Sequence, residues 1–324
     1  MLKYKEIYDL VEEKIKQIEY HSGPPELYDP VKYVLSLGGK RLRPCLAIMA
    51  NNLFNDKMDD IVYPAIGIEI FHNFTLLHDD IMDKAPLRRN SSTVHIKWNE
   101  NVAILSGDAM LIMAYDLITK TNQKSQFEIF NIFTKTAREV CEGQQFDMNF
   151  ENRQDVTLDQ YIEMIRLKTA SLIAASLAIG AVAGDAAKAE IELLYNFGMN
   201  IGIAFQLQDD YLDVYADYSK FGKSVGGDIL SNKNTYLLVS ALQSGSKKLV
   251  DELRYWLEIE KYEPTDKIKA VTKIYDKLNA GNRTIQLAMD YFTKGIEYLR
   301  QVNVEEERKV LLRSIISDTM KREK

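Results

Sequence analysis

FHNFTLLHDDIMDKAPLRR, residues Phe71 to Arg89, is the stretch on which the reading of this chain turns. Three acids, Asp79, Asp80 and Asp83, close an apolar segment of helical periodicity, and Arg88 and Arg89 follow a proline. On a helix, Asp79 and Asp83 share one face a turn apart, with Asp80 about 100° round from Asp79. The spacing returns in QLQDDYLD, which carries Asp209, Asp210 and Asp213. One such cluster reads equally well as a solvated helix face. Two copies, set among Leu76, Leu77, Ile81 and Met82 and among Phe205, Leu207, Tyr211 and Leu212, do not look solvated. Carboxylate oxygens are hard ligands that suit Mg²⁺, which keeps waters and bridges one or two carboxylates to phosphate oxygens. Two such pairs on facing helices would hold a small magnesium cluster around a diphosphate.

Around these clusters the chain reads as helix after helix. Tyr4, Ile7, Val11, Ile15 and Ile18 recur at helical intervals. Ser22 to Pro30 interrupts, and Asp29-Pro30 reads as the start of a second helix. A third is expected from Pro44 and a long one from Ile61 through the first acidic cluster. Further helices are expected over Val102–Ile118, Ser125–Asn149, Asp159–Val182 and Ala187 to about Asp217, with five more from Thr235 to Met320. No run alternates as a strand would, and no Pro/Ser-rich linker divides the chain. The expectation is an all-α fold of ten or more helices, with residues 1–324 as a single domain.

Composition narrows the function. The chain has 324 residues, 46% hydrophobic and 27% charged, which is globular, and its net charge of −6 argues against a nucleic-acid partner. Two cysteines, Cys45 and Cys141, make no disulfide framework, so a reducing cytoplasm is the expected compartment. MLKYKEIYDLVEEKIKQI has no apolar core of a signal peptide. The Ala- and Gly-rich run from Ala170 to Gly184 reads as too short and weakly apolar for stable membrane insertion.

Basic residues supply a partner for an anion. Lys40, Arg41 and Arg43 follow Gly38-Gly39, Arg88 and Arg89 follow the first acids, and Lys223 and Lys233 lie in and after the glycine-rich FGKSVGGD. Each alone is an ordinary surface charge; together they suggest a second anion site. His72 sits about two turns before Asp79 on the same face, which suits anion contact. It is equally a satisfied core histidine, or with Glu69 an ExxH of the kind found in di-iron bundles, although no second ExxH exists. Lys168-Thr169 opens a helix of small residues, which reads either as close helix packing or as a cation and hydroxyl at the mouth of an apolar cavity. Gln206, one turn before Asp209, would look into the same space.

GGKRLRP, HDDIMD with its following RR, Lys168-Thr169, FQLQDDYLD, GKSVGGDI and the KNT of Lys233 to Thr235 occur here in one order. In that combination the chain resembles the trans-isoprenyl diphosphate synthases, or polyprenyl synthetases, over essentially its whole length. The resemblance implies an isoprenoid synthase fold around a deep central cavity, usually in a homodimer. It implies head-to-tail condensation of isopentenyl diphosphate with an allylic diphosphate: dimethylallyl, geranyl or farnesyl. Asp79, Asp83 and Asp209 would bind Mg²⁺, three ions per site, which hold the allylic diphosphate with help from Arg88, Lys168 and Lys223. Lys40, Arg43, His72 and Arg89 would bind isopentenyl diphosphate. Lys168, Thr169 and Gln206 would line the place where allylic positive charge develops, and Lys233 would touch the departing diphosphate.

No two residues are inserted between Asp80 and Asp83, which departs from the usual bacterial farnesyl synthases and resembles geranylgeranyl or longer-chain enzymes. Chain length in the family is set by bulk upstream of the first motif. Phe74 lies about 7.5 Å of helix before Asp79, beside Thr75 and with Phe71 deeper, and the resemblance points to a C20 product over C15 or C25. The alternative is that Phe74 and Phe71 face another helix and the floor lies elsewhere. A terpene cyclase would share the fold but normally carries an Asn/Ser/Glu second metal motif. A non-catalytic prenyl-diphosphate-binding subunit would tend to have lost one acidic cluster. The basic tail of Lys321, Arg322 and Lys324 is a candidate cover for the phosphate site or simply a frayed end.

Overall fold

The computed structural model describes residues 2–20, 22–151, 153–216, 226–244 and 246–320. Lys223 and the tail residues Lys321, Arg322 and Lys324 therefore lie outside the described residues. Among the described residues the expectation of an all-α fold holds, with one small exception: a hairpin pairing Leu87–Arg88 with Ser91–Ser92.

The chain forms two compact units. The first holds residues 1–135, 175–195 and 302–312, and the second holds 136–174, 196–301 and 313–324. In the first unit the organising element is α4, Asp59–Met82, buried along almost its whole length from Ile61 to Leu77. It packs most extensively on α6, Glu100–Ile118, and next on α3, Leu42–Phe54. Gly67 makes the first contact close, since a Cβ there would lie 2.9 Å from the Ala114 carbonyl and 3.2 Å from the Ile118 amide. α1, Tyr4–Lys16, buries Ile7, Val11 and Ile15 as the periodicity requires, and Ile18 lies just past its end.

Local chemistry sets the helix ends. Asn99 caps α6 by accepting from the Val102 amide at 2.9 Å, and Thr157 and Gln160 form a reciprocal capping box at α8, Leu158–Ile165. The second helix, α2, begins at Pro25 rather than near Pro30 and runs to Ser36. Pro25 takes the early position where a missing N–H costs nothing, and Pro30 is carried just beyond the first turn.

The second unit is built on two clusters. One joins Phe150, Tyr161, Met164, Ile165, Ile203 and Leu207. The other joins Val214, Ile229, Leu237, Leu253, Ile274 and Tyr275. The helix expected over Asp159–Val182 is broken into α8, a π-helical turn at Arg166–Ala170 and α9, Ser171–Ala183. α10, Lys188–Tyr215, carries the second acidic cluster. Small residues let backbones meet: a Cβ on Gly202 would sit 2.5 Å from Ala170 Cα, and, within the first unit, one on Gly180 would collide with the Ala47 carbonyl.

Among the described residues, two helical stretches are long and apolar enough to cross a membrane, Glu100–Ile118 and Leu158–Ala183. The second takes in most of the Ala170–Gly184 run, which by itself stays too short, and reaches that length only because α8 and the π turn continue it on the N-terminal side. It is 83% buried within the protein, which is how core helices pass that test.

Candidate active site

The first acidic cluster ends α4. Asp83 caps the helix, its amide still bonded to the Asp79 carbonyl at 2.8 Å, so the two stay on one face. Asp79 is half-buried, Asp83 exposed and Asp80 buried. The three acids do different work. Asp80 accepts from Arg88 Nε at 2.7 Å, while Arg88 reaches Asp79 only loosely, at 3.8 Å. Burial raises the Asp80 pKa and the Arg88 guanidinium opposes it, so Asp80 is an anchor for Arg88.

The hairpin aims the two arginines apart. Arg89 and Asn90 both have positive φ, 52° and 59°, the backbone of a two-residue type I′ turn. Arg88, paired with Ser91, points to the acids, while Arg89 donates to the Gly38 carbonyl and reaches Asn73 Oδ1 at 3.5 Å. Gly39, at φ 144°, leaves room for that guanidinium, because a Cβ there would sit 3.0 Å from Arg89 Cζ. Tyr33 fixes the hairpin from α2 by donating to the Ser92 carbonyl at 2.8 Å. α1 fixes the Gly38-Gly39-Lys40 turn, with Tyr8 donating to the Gly39 carbonyl and Tyr4 to that of Lys40. Lys40 itself is exposed.

Within KRLR the basic residues part company. Arg41 is buried, at φ 44°, and donates to Glu12 at 2.7 Å, Glu69 at 2.8 Å and the Leu35 carbonyl at 2.7 Å. Arg43 turns the other way and its Nη1 lies 3.1 Å from His72 Nε2. A guanidinium only donates, so His72 Nε2 accepts and the ring is neutral with its proton on Nδ1. Burial first, then the charge of Arg43 and the more distant Arg89, Arg88 and Arg41, holds His72 well below the usual imidazole range. Glu69 accepts from Arg41 and from Asn73 Nδ2 at 2.9 Å, which removes it as an ExxH metal ligand.

The aromatic residues upstream lie in one cluster. Phe71, fully buried, packs edge-on to Phe133 of α7, Gln123–Phe150, with ring centroids 5.2 Å apart. Phe74 lies between Phe71, at 5.5 Å, and His78, at 4.8 Å. Thr75 donates to the His72 carbonyl at 2.8 Å.

The second unit brings Lys168, Thr169, Gln206 and Asp210 around a small cleft of about 40 Å³, which Tyr161, Asp147 and Lys233 also line. Lys168 and Thr169 lie in the π turn, a backbone widening often found at functional sites. Gly143 permits it, since a Cβ there would lie 2.7 Å from Lys168 Cα. Lys168 Nζ pairs with Asp147 at 2.6 Å. Thr169 donates to Gln206 Oε1 at 3.1 Å, and Gln206 Nε2 donates to Asp210 Oδ1 at 3.1 Å. Asp210 Oδ2 accepts from the Tyr161 hydroxyl and from the Tyr236 amide at 3.1 Å.

Asp209 is exposed on the same helix, and Asp213 accepts from the Asp228 amide at 3.0 Å. Burial and the Asp213 carboxylate push Asp228 up to about 7, with Lys233 opposing. Asp147, Asp228 and Tyr161 were not visible as site residues in the sequence. Gly143 and Asp147 at i and i+4 was the only local signal for the first, and nothing adjacent marked Tyr161.

No group of three or more acidic, imidazole or thiol residues poised to hold a metal alone exists among the described residues. The donors at hand are carboxylate oxygens in pairs, which fits Mg²⁺ shared with a phosphate rather than a protein-only cage.

A sequence profile described as "Polyprenyl synthetase" matches residues 24–275. A short chain isoprenyl diphosphate synthase of Methanocaldococcus jannaschii is 37% identical over 93% of this chain and 86% of its own length. A geranylgeranyl diphosphate synthase of Sulfolobus acidocaldarius is 36% identical over 93% of this chain and 91% of its own. Among solved structures, a geranylgeranyl pyrophosphate synthase superposes with a TM-score of 0.95 at 40% identity, covering 100% of both chains. The all-helical fold with its paired acids and arginines therefore defines a prenyl-transferring enzyme. The chain belongs to the polyprenyl synthetase family, the isoprenyl diphosphate synthases.

Proposed function

We propose that this chain joins isopentenyl diphosphate head-to-tail to an allylic diphosphate and stops at the C20 geranylgeranyl product. What carries the reading is the cationic set on the first unit. Arg43 holds His72 neutral, Arg89 is fixed beside Gly38-Gly39, and Arg88 is anchored at the tip of the helix bearing Asp79 and Asp83. Arg43, Arg89, Lys40 and a neutral His72 donating from Nδ1 suit the diphosphate of isopentenyl diphosphate. Asp79 and Asp83 with Asp209 would bind three Mg²⁺ ions along with the allylic diphosphate. Bound magnesium supplies charge neutralisation at the leaving group as the C–O bond ionises.

The protein's own groups do the rest. Arg88, held through Nε by Asp80, would turn its Nη2 from Asp79 to a phosphate oxygen, and Lys168 would exchange Asp147 for the allylic diphosphate, assisted by Lys223. Thr169 and Gln206 present fixed dipoles to the allylic carbon. Lys233 receives the departing diphosphate, which itself can take the final proton, so no separate basic side chain is required. Phe74, backed by Phe71 and beside Thr75, limits the chain. Geranylgeranyl synthases among the relatives support C20, and a relative of Natronomonas pharaonis named geranylfarnesyl diphosphate synthase, 32% identical, makes C25 the next reading.

We also infer a homodimer. α6 and α7 expose Ile104, Leu105, Ile112, Phe127 and Phe130, and apolar patches of this kind mark protein contacts. Two free thiols, Cys45 and Cys141, suit a reducing cytoplasm. The deciding experiment incubates purified protein with Mg²⁺, labelled isopentenyl diphosphate and dimethylallyl, geranyl or farnesyl diphosphate in turn. Geranylgeranyl diphosphate is the expected product; no elongation from any primer would sink the proposal.

A further inference from the structure

We infer that Tyr161 is a positioning residue for the condensation, acting through Asp210 to fix which way the Gln206 amide points. The inference rests on the proposed placing of Gln206 and Thr169 beside the reacting allylic carbon.

A primary amide has two orientations of nearly equal shape, and its neighbours choose between them. At the Thr169 end the choice is open, because a hydroxyl can donate or accept. At the Asp210 end it is closed, because both oxygens of that side chain are placed as acceptors: Oδ2 takes the Tyr161 hydroxyl and the Tyr236 amide, and Oδ1 faces the Gln206 nitrogen. Gln206 therefore gives Nε2 to Asp210 Oδ1 and turns Oε1 toward Thr169 and the π turn. The reverse orientation would set oxygen against oxygen.

That decision holds only while Asp210 is itself fixed. Asp210 is buried, and its Oδ2 has two donors, the Tyr236 amide and the Tyr161 hydroxyl. Tyr161 is 1% exposed and packed among Met164, Ile165 and Leu207. Its one hydroxyl proton is committed to Asp210, and burial beside that carboxylate raises the phenol well above its ordinary range, so the proton stays. Removing the hydroxyl leaves Oδ2 one donor, frees the carboxylate to turn and releases the Gln206 amide. The negative end of a fixed dipole then no longer faces the place where positive charge develops, a loss felt in the transition state.

Tyr161→Phe keeps the ring and removes the hydroxyl. We expect kcat to fall about tenfold, with KM for both diphosphates and the half-saturating Mg²⁺ concentration unchanged within about twofold. In a Gln206→Ala background the same change is expected to have no further effect, since Tyr161 acts through that side chain. The readout without turnover is ¹⁵N NMR of the Gln206 side-chain NH₂. Its protons exchange slowly in the parent protein and fast in Tyr161→Phe, while backbone amides of α10 stay protected. Should Tyr161→Phe not fold, 3-fluorotyrosine at position 161 keeps the shape and makes the donor more acidic, which shifts the Gln206 NH₂ resonances. The inference is overturned by unchanged kcat and NH₂ exchange in Tyr161→Phe, by an equal rate loss in the Gln206→Ala background, or by unmoved resonances with fluorotyrosine. A parent protein inactive on every prenyl diphosphate would instead refute the proposed reaction, and the NMR arm would still be read.

Discussion

Asp79 and Asp80 are adjacent in sequence and opposite in use. Asp80 is buried and bonded to Arg88 at 2.7 Å, whereas Asp79 is half-exposed and 3.8 Å from the same guanidinium, so the first is part of the fold and the second is the one we propose for ligand contact. Asp79→Ala is expected to abolish turnover while leaving the helical circular dichroism intact; retained activity with magnesium would remove it from the metal set. Arg41 and Arg43 divide in the same way. Arg41→Leu strands Glu69 as a buried unpaired charge, and we expect a loss of about 3–5 kcal/mol in denaturant unfolding. Asp228 gives a pH effect of known sign. Its folded pKa, about 7, lies above the unfolded value of 3.8, so between these the folded state binds more protons. Stability of the metal-free protein therefore falls as pH rises from about 4 to about 7, by roughly 4 kcal/mol at most. Asp228→Asn should flatten that slope in melts recorded with chelator. All of these residue types were legible as candidates or as charges. Their partners were not, because spacing along a chain carries no information about which far element packs alongside.

Helical periodicity located the elements to within a few residues, since burial of one face repeats every turn. It could not show the π turn at Arg166–Ala170, which keeps the same apolar pattern and differs only in where one residue's extra arc is absorbed. That turn depends on Gly143 across from it. Gly143→Ala would force a methyl group into the Lys168 backbone, and a rate loss of tenfold or more with a loss of about 1–3 kcal/mol is expected. The hairpin at Leu87–Ser92 escaped for a different reason: four paired residues are too few to alternate, and Arg89-Asn90 is a weaker turn signal than Asn-Gly. Upstream, Phe74→Ala opens the space between Phe71 and His78. Longer products by chromatography are the expected result, and an unchanged distribution would remove Phe74 as the floor.

For the whole molecule, composition indicated a globular, acidic protein, periodicity indicated helices throughout, and the two similarly spaced acidic motifs indicated its chemistry. What composition could not locate was the apolar surface left over after folding. On α6 Ile112 is 64% exposed, and on α7 Phe127 is 75% exposed. Ile112→Glu with Phe127→Glu tests the proposed homodimer: the variant is expected to sediment as a monomer in analytical ultracentrifugation with its helical circular dichroism kept, and an unchanged sedimentation would remove this face as the interface. The two middle aspartates carry a separate implication for redesign. Asp80 and Asp210 are tied to Arg88 and to Tyr161, Gln206 and Tyr236, so the repeated three-acid pattern contains fewer adjustable oxygens than it displays. Substitution at either middle position is therefore expected to cost stability as well as turnover, so a library that randomises all three acids together has to be scored for folding alongside activity.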